Sequence, residues 1–145
     1  MRIGVPKETK VHEYRVGLSP ASVGELTAHG HEVWVEADAG TSIGFDNDHY
    51  RSAGAQIVDR EAAFATDMVV KVKEPSLDEC AQLQRDQILF TYLHLAAAQP
   101  QARLLMERGV TAIAYETVED AAGRLPLLSP MSEVAGRMSI QVGAY

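Results

Sequence analysis

A single cysteine, Cys80, occurs in 145 residues, so no internal disulfide can form and nothing suggests secretion. No apolar run is long enough to cross a bilayer. The opening MRIGVPKETK lacks the apolar centre of a signal peptide, so a cytoplasmic location is the expectation. Thirteen lysines and arginines stand against 20 aspartates and glutamates, a net charge of −7. With no basic run or stripe, this balance argues against a nucleic-acid partner. No two glycines stand in G-x-G spacing, so the dinucleotide fingerprint is absent, and any such cofactor would need residues from outside this chain. The histidines and Cys80 make no metal-ligand spacing, and no metal is expected. Internal repeats, low-complexity tracts and evident linkers are also missing.

What is present is enough for one domain with a sizeable core, at 46% hydrophobic and 23% charged residues. RIGVP (2–6) reads as a first strand stopped by Pro6. RVGLSP (15–20) reads as a short extended piece running into a helix that Ser19 caps and Pro20 opens, ending near His29 and Gly30. HEVWVEA (31–37) alternates as a strand should, 46–54 reads as a short helix closed by Gly54, and 55–59 as another strand. DMVVKVKEP (67–75) is rich in valine and ends at Pro75. A polar segment containing Cys80 then leads to QILFTYLH (87–94). PQARLLMERG (100–109) has proline at its start and glycine at its end, the punctuation of a helix, and VTAIAYE (110–116) is the next strand. This alternation predicts an α/β fold, a Rossmann-like or flavodoxin-like, mostly parallel sheet flanked by helices.

Ser129-Pro130 opens a last helix on which Met131, Val134, Ala135, Met138, Val142 and Tyr145 share one stripe. The stripe runs to the last residue with no capping signal. The expected organisation is a domain over 1–129 and a final helix at 130–145 whose uncapped stripe suggests a longer protein.

In an open α/β sheet, ligands gather beyond the carboxyl ends of the strands. VVKVK sets Lys71 and Lys73 on one face of a strand, with Lys73 at its carboxyl end. His94 stands in the same relation to the next strand, and Arg15 lies in the loop after the first. The arginine fork suits a carboxylate, lysine adds a compact charge, and histidine, with an unperturbed pKa of roughly 6.5, both gives and takes a proton. Taken singly, each has a plainer reading: Arg15 in a solvated ion pair, Lys73 snorkelling at a strand end, His94 as a satisfied core residue. Their convergence on one rim is what points to a small anionic substrate undergoing proton transfer. Glu116 and Glu119 read as solvated loop carboxylates.

The blocks MRIGVPKETKVHEYRVGLSP, VVKVKEP, LFTYLHLAAA, AIAYETV and LPLLSPMSEVAGRMSIQVGAY resemble, in order and spacing, the opening of the alanine dehydrogenase family. The resemblance implies a two-domain enzyme that interconverts L-alanine and pyruvate with NAD, releasing ammonium, and that assembles as a homo-oligomer, a hexamer. It implies that residues 1–129 are the substrate-binding domain and that a second, Rossmann domain binds NAD. Carried over by motif, Arg15 and Lys73 would hold the substrate carboxylate, Lys73 also its carbonyl oxygen. His94 would be the acid/base, Met131 would border the substrate, and Ser132 would touch the cofactor. On this reading the chain by itself is inactive. Transhydrogenase α subunits share the opening pattern but lack the YLHLA histidine, and saccharopine-forming lysine dehydrogenases match poorly after residue 100. A stand-alone module binding a small carboxylate remains open, since the chain carries no cofactor motif.

Overall fold

Six short strands and six helices alternate through residues 1–145, all of which the computed structural model describes. They are β1 (Arg2–Val5), α1 (Pro20–Ala28), β2 (Glu32–Glu36), α2 (Asn47–Ser52), β3 (Gln56–Val58), α3 (Arg60–Phe64), β4 (Met68–Val70), α4 (Leu77–Gln82), β5 (Ile88–Thr91), α5 (Gln99–Arg108), β6 (Thr111–Ala114) and α6 (Ser129–Gly143). The helix starts follow local side-chain chemistry. Ser19 accepts the Ser22 N–H ahead of Pro20, and Asp59 accepts that of Ala62. Asp46 with His49, and Ser76 with Glu79, form reciprocal capping boxes. Gly109 closes α5 at φ +69°, where any other residue would be strained.

All five strand pairings are parallel, and the order is β3-β2-β1-β4-β5-β6. This is the doubly wound Rossmann order rather than the flavodoxin one, and the chain reverses direction of travel between β1 and β4. Register separates the two faces. Val5 is level with Val35 in β2, and both belong to one core with Val33, Val23 of α1 and Tyr50 of α2. Val69 is level with Leu89, on the opposite face, in a second core with Phe64, Cys80, Leu83 and Leu105. Gly4 lies on that second face, where α3 crosses so closely that a Cβ would fall 1.8 Å from the Ala63 carbonyl oxygen. Burial raises the Cys80 thiol to about 11, so it serves as core.

The strands end earlier than the sequence predicts: β4 stops at Val70 rather than continuing through Lys73, and β5 stops at Thr91 rather than His94. The expected extended piece at 15–20 is loop up to the start of α1. Two helices, α3 and α4, occupy segments that carried no clear periodic signal. No helix is long and apolar enough to cross a membrane. The final helix begins at Ser129, and its stripe is exposed from Met131 to Val142, while Tyr145 lies beyond its end.

Candidate active site at the carboxyl ends of the strands

The crevice expected at a strand-order reversal forms where the loops after β1, β4 and β5 meet. The loop after β1 is held in two places. Tyr50 donates its hydroxyl to the Leu18 carbonyl at 2.9 Å, and Gly17 passes so near β4 that a Cβ would lie 2.6 Å from the Val70 oxygen. These contacts bring Arg15 over the sheet edge. A cavity of about 160 Å³ there is lined by Arg15, Lys73, Tyr92, His94, Leu128 and Met131. That is room for about five waters, or a ligand of a few heavy atoms. Four of the five site residues named from sequence thus line one cavity. The fifth, Ser132, is exposed next to Met131 at the start of α6.

Carboxylates from elsewhere set each cationic or titratable group. Glu13 grips Arg15 with both oxygens, taking Nε at 2.8 Å and Nη2 at 2.6 Å, and also accepts its backbone N–H at 3.0 Å. That side-chain bond raises Arg15 above its ordinary value and lowers Glu13 below its own. It leaves Nη1 with only a 3.4 Å contact to the Met131 sulfur. Lys73 follows a buried network. Glu8 accepts the Val72 N–H at 2.7 Å and the Lys73 N–H at 3.4 Å, and also pairs with Lys71 Nζ at 3.2 Å. Lys71 Nζ lies 3.1 Å from Glu79, which Arg60 also pairs, and Arg60 reaches Glu36 at 3.0 Å.

The two lysines therefore part company. The side chain of Lys71 is 1% exposed and committed to two carboxylates, whereas Lys73 lines the cavity. Lys71 is turned inward, its ammonium held between Glu8 and Glu79. His94 is not the satisfied core residue of its plainer reading. Leu93 is the buried residue, and His94 is exposed at φ +48°, in the left-handed region, with its ring 6.1 Å from that of Tyr92. Glu116 accepts the N–H of His94 at 2.7 Å and of Leu93 at 3.1 Å, so it is not the solvated carboxylate it resembled in sequence. Burial pushes the Glu116 carboxyl upward, but the N–H groups donated by His94 and Leu93 outweigh it and hold the group below its ordinary value. Lys10 and Glu74 pair at the edge of the same loops.

A second cavity, about 440 Å³, shares the Arg15, Tyr92 and Met131 wall but is lined mainly by apolar groups such as Val16, Phe45 and Phe90. Size alone would favour it. The polar chemistry favours the smaller one, where Arg15, Lys73 and His94 converge. No cluster of histidine, cysteine and acidic side chains suited to a metal occurs.

The family described as "Alanine dehydrogenase/PNT, N-terminal domain" matches residues 4–135. The alanine dehydrogenase of Mycobacterium tuberculosis (strain ATCC 25618 / H37Rv) is 52% identical over 148 residues, covering all of this chain and 40% of that protein. A solved L-alanine dehydrogenase superposes with a TM-score of 0.94 at 56% identity, over 99% of this chain and 40% of the other. A transhydrogenase from Sinorhizobium meliloti superposes at 0.77 with 27% identity, over 80% of this chain and 35% of that one. The chain thus spans about 40% of the length of the alanine dehydrogenases it matches. The chain belongs to the alanine dehydrogenase/PNT N-terminal domain family.

Proposed function

We propose that this chain is the substrate-binding part of an NAD-dependent alanine dehydrogenase, which interconverts L-alanine with pyruvate and ammonium. The observation that carries the reading is one small cavity joining a pre-clamped arginine, a free lysine and an exposed histidine. Identity of about half to alanine dehydrogenases over the whole chain agrees with it. In this reading, residues 1–129 form the substrate domain, and the helix from residue 130 leads toward a cofactor domain. The protein is a cytoplasmic homo-oligomer, a hexamer as the family resemblance implies.

Arg15 offers Nη1 to the substrate carboxylate, and Lys73 adds a second charge and polarises the carbonyl oxygen. His94, at the open side of the cavity, gives and takes the proton as water adds to the imine carbon and as the carbinolamine collapses. NAD, when bound, accepts the hydride from the substrate α-carbon. The chain's fit to that cofactor is partial: it has no glycine fingerprint, but Ser132 and Met131 project from the first turn of α6, Met131 at the cavity and Ser132 in solvent. Ser132 would touch the cofactor, whose main contacts lie outside this chain.

The test is steady-state kinetics of the full-length protein, following pyruvate amination. Arg15→Ala is expected to raise KM for pyruvate, while His94→Ala lowers kcat roughly 100-fold or more. Full kcat in a folded His94→Ala protein would remove the histidine from the chemistry. Absence of turnover in the wild type would favour a carboxylate-binding module instead.

A further inference from the structure

His94 carries a conformational cost that its own side chain does not explain. A residue other than glycine in the left-handed region is disfavoured and persists only where its surroundings over-determine it. On one side, Leu93 is 2% exposed and packed in the second core, which fixes the chain just before the turn. On the other, the Ala97 N–H returns to the His94 carbonyl at 3.0 Å. The two N–H groups between them, of Leu93 and His94, both point at the Glu116 carboxylate.

Glu116 is itself well placed to impose that geometry. It follows β6 directly, in a single 3-10 turn (Tyr115–Thr117), and β6 is paired to β5 through Thr91↔Ala114. Tyr115 wedges edge-on against Phe90 at 4.3 Å and against Tyr92 at 5.0 Å. The carboxylate is thus anchored to the same strand pair whose exit it caps.

We infer that Glu116 is a positioning residue: by accepting the backbone N–H groups of Leu93 and His94, it holds His94 in its left-handed turn, so that the imidazole faces the cavity beside Lys73. It needs no contact with substrate and acts through the chain that carries the histidine. The inference rests on the proposed acid/base role of His94.

Three full-length variants and one spectroscopic readout test it. Glu116→Ala is expected to lower kcat for pyruvate amination roughly 10–100-fold, the scale of a misplaced catalytic group, with KM for pyruvate within about twofold. Glu116→Gln keeps an acceptor oxygen and is expected to retain most of kcat, while Glu116→Leu behaves as Ala does. Wild-type kcat in Glu116→Ala would overturn the inference. So would a glutamine variant as impaired as alanine, or a loss confined to KM. Amide NMR of the same full-length proteins supplies the independent readout. The His94 N–H should be shifted downfield and protected from exchange in wild type and Glu116→Gln, but not in Glu116→Ala or Glu116→Leu. An unchanged His94 amide in the alanine and leucine variants would overturn the inference even if activity fell. If the wild type shows no turnover, the catalytic reading of His94 fails, and the amide signals still decide whether Glu116 holds the turn.

Discussion

Two lysines two positions apart do opposite jobs, because one is paired inside the protein and the other is not. Lys71 bridges buried Glu8 and Glu79, whose side chains are 2% and 4% exposed. Replacing it with methionine leaves buried Glu8 without its cationic partner and Glu79 with Arg60 alone. Lys71→Met is expected to cost about 3–5 kcal/mol, read by urea unfolding. A loss under 1 kcal/mol would show that the network does not depend on Lys71. Glu13 acts instead on affinity. Glu13→Ala frees the Arg15 guanidinium, and since a hydrogen bond to a charged group is worth about 1.5–3 kcal/mol, KM for pyruvate should rise roughly tenfold with kcat little changed. At this scale the cations were legible in the sequence, since Arg15, Lys73 and His94 each follow a strand and Met131 opens a helix. Their carboxylate holders were harder to see. Glu8 and Glu116 act through backbone N–H groups 64 and 22 positions away, a relation that no local spacing encodes. Glu13 lies two residues from Arg15 and could have been read as its partner.

Strand ends and close approaches decide where those residues sit. The apolar runs located every strand, but they overstated β4 and β5: past Val70 and Thr91 the pairing continues only through the Lys71 N–H to Phe90 and the Tyr92 N–H to Val72, while the Val72 N–H turns to Glu8 and the Lys73 carbonyl to the Thr91 hydroxyl. Short helices such as α3 and α4 span under two turns and offer too few positions for a periodic signal. Gly17 shows how tightly the first loop is seated. Gly17→Ala puts a Cβ against the Val70 backbone, which cannot yield as a flexible side chain would. The variant is expected to lose about 1–3 kcal/mol and to weaken pyruvate binding, since the displaced loop carries Arg15. An unchanged unfolding midpoint with unchanged KM would mean that the loop has slack. In the second core, Leu89 of β5 is fully buried in one cluster with Val69, Cys80 and Leu105, and Leu89→Ala should cost about 2–5 kcal/mol in the same assay.

Over the whole molecule, the site is assembled by topology. The strand order brings the exits of β1, β4 and β5 side by side, and no stretch of sequence states that order; the β–α alternation limits the choice to parallel sheets without selecting one. The loops around the crevice are also tied together by charge. Glu13, Glu74, Glu79 and Glu116 are all held below their ordinary value. A carboxylate depressed in the folded state adds stability above its unfolded pKa and loses it as pH falls through the folded one. Thermal midpoints should therefore hold near neutral pH and fall progressively once the pH drops below the ordinary carboxylate value of 4.5. A midpoint that rises on acidification would contradict these assignments. A crystal structure of the full-length protein with pyruvate tests whether the small cavity, rather than the apolar one, receives the carboxylate of a 2-oxo acid. The carboxylate is expected within about 3 Å of Arg15 and Lys73, with the carbonyl carbon facing His94. Pyruvate bound in the apolar cavity, or away from all three residues, would contradict it.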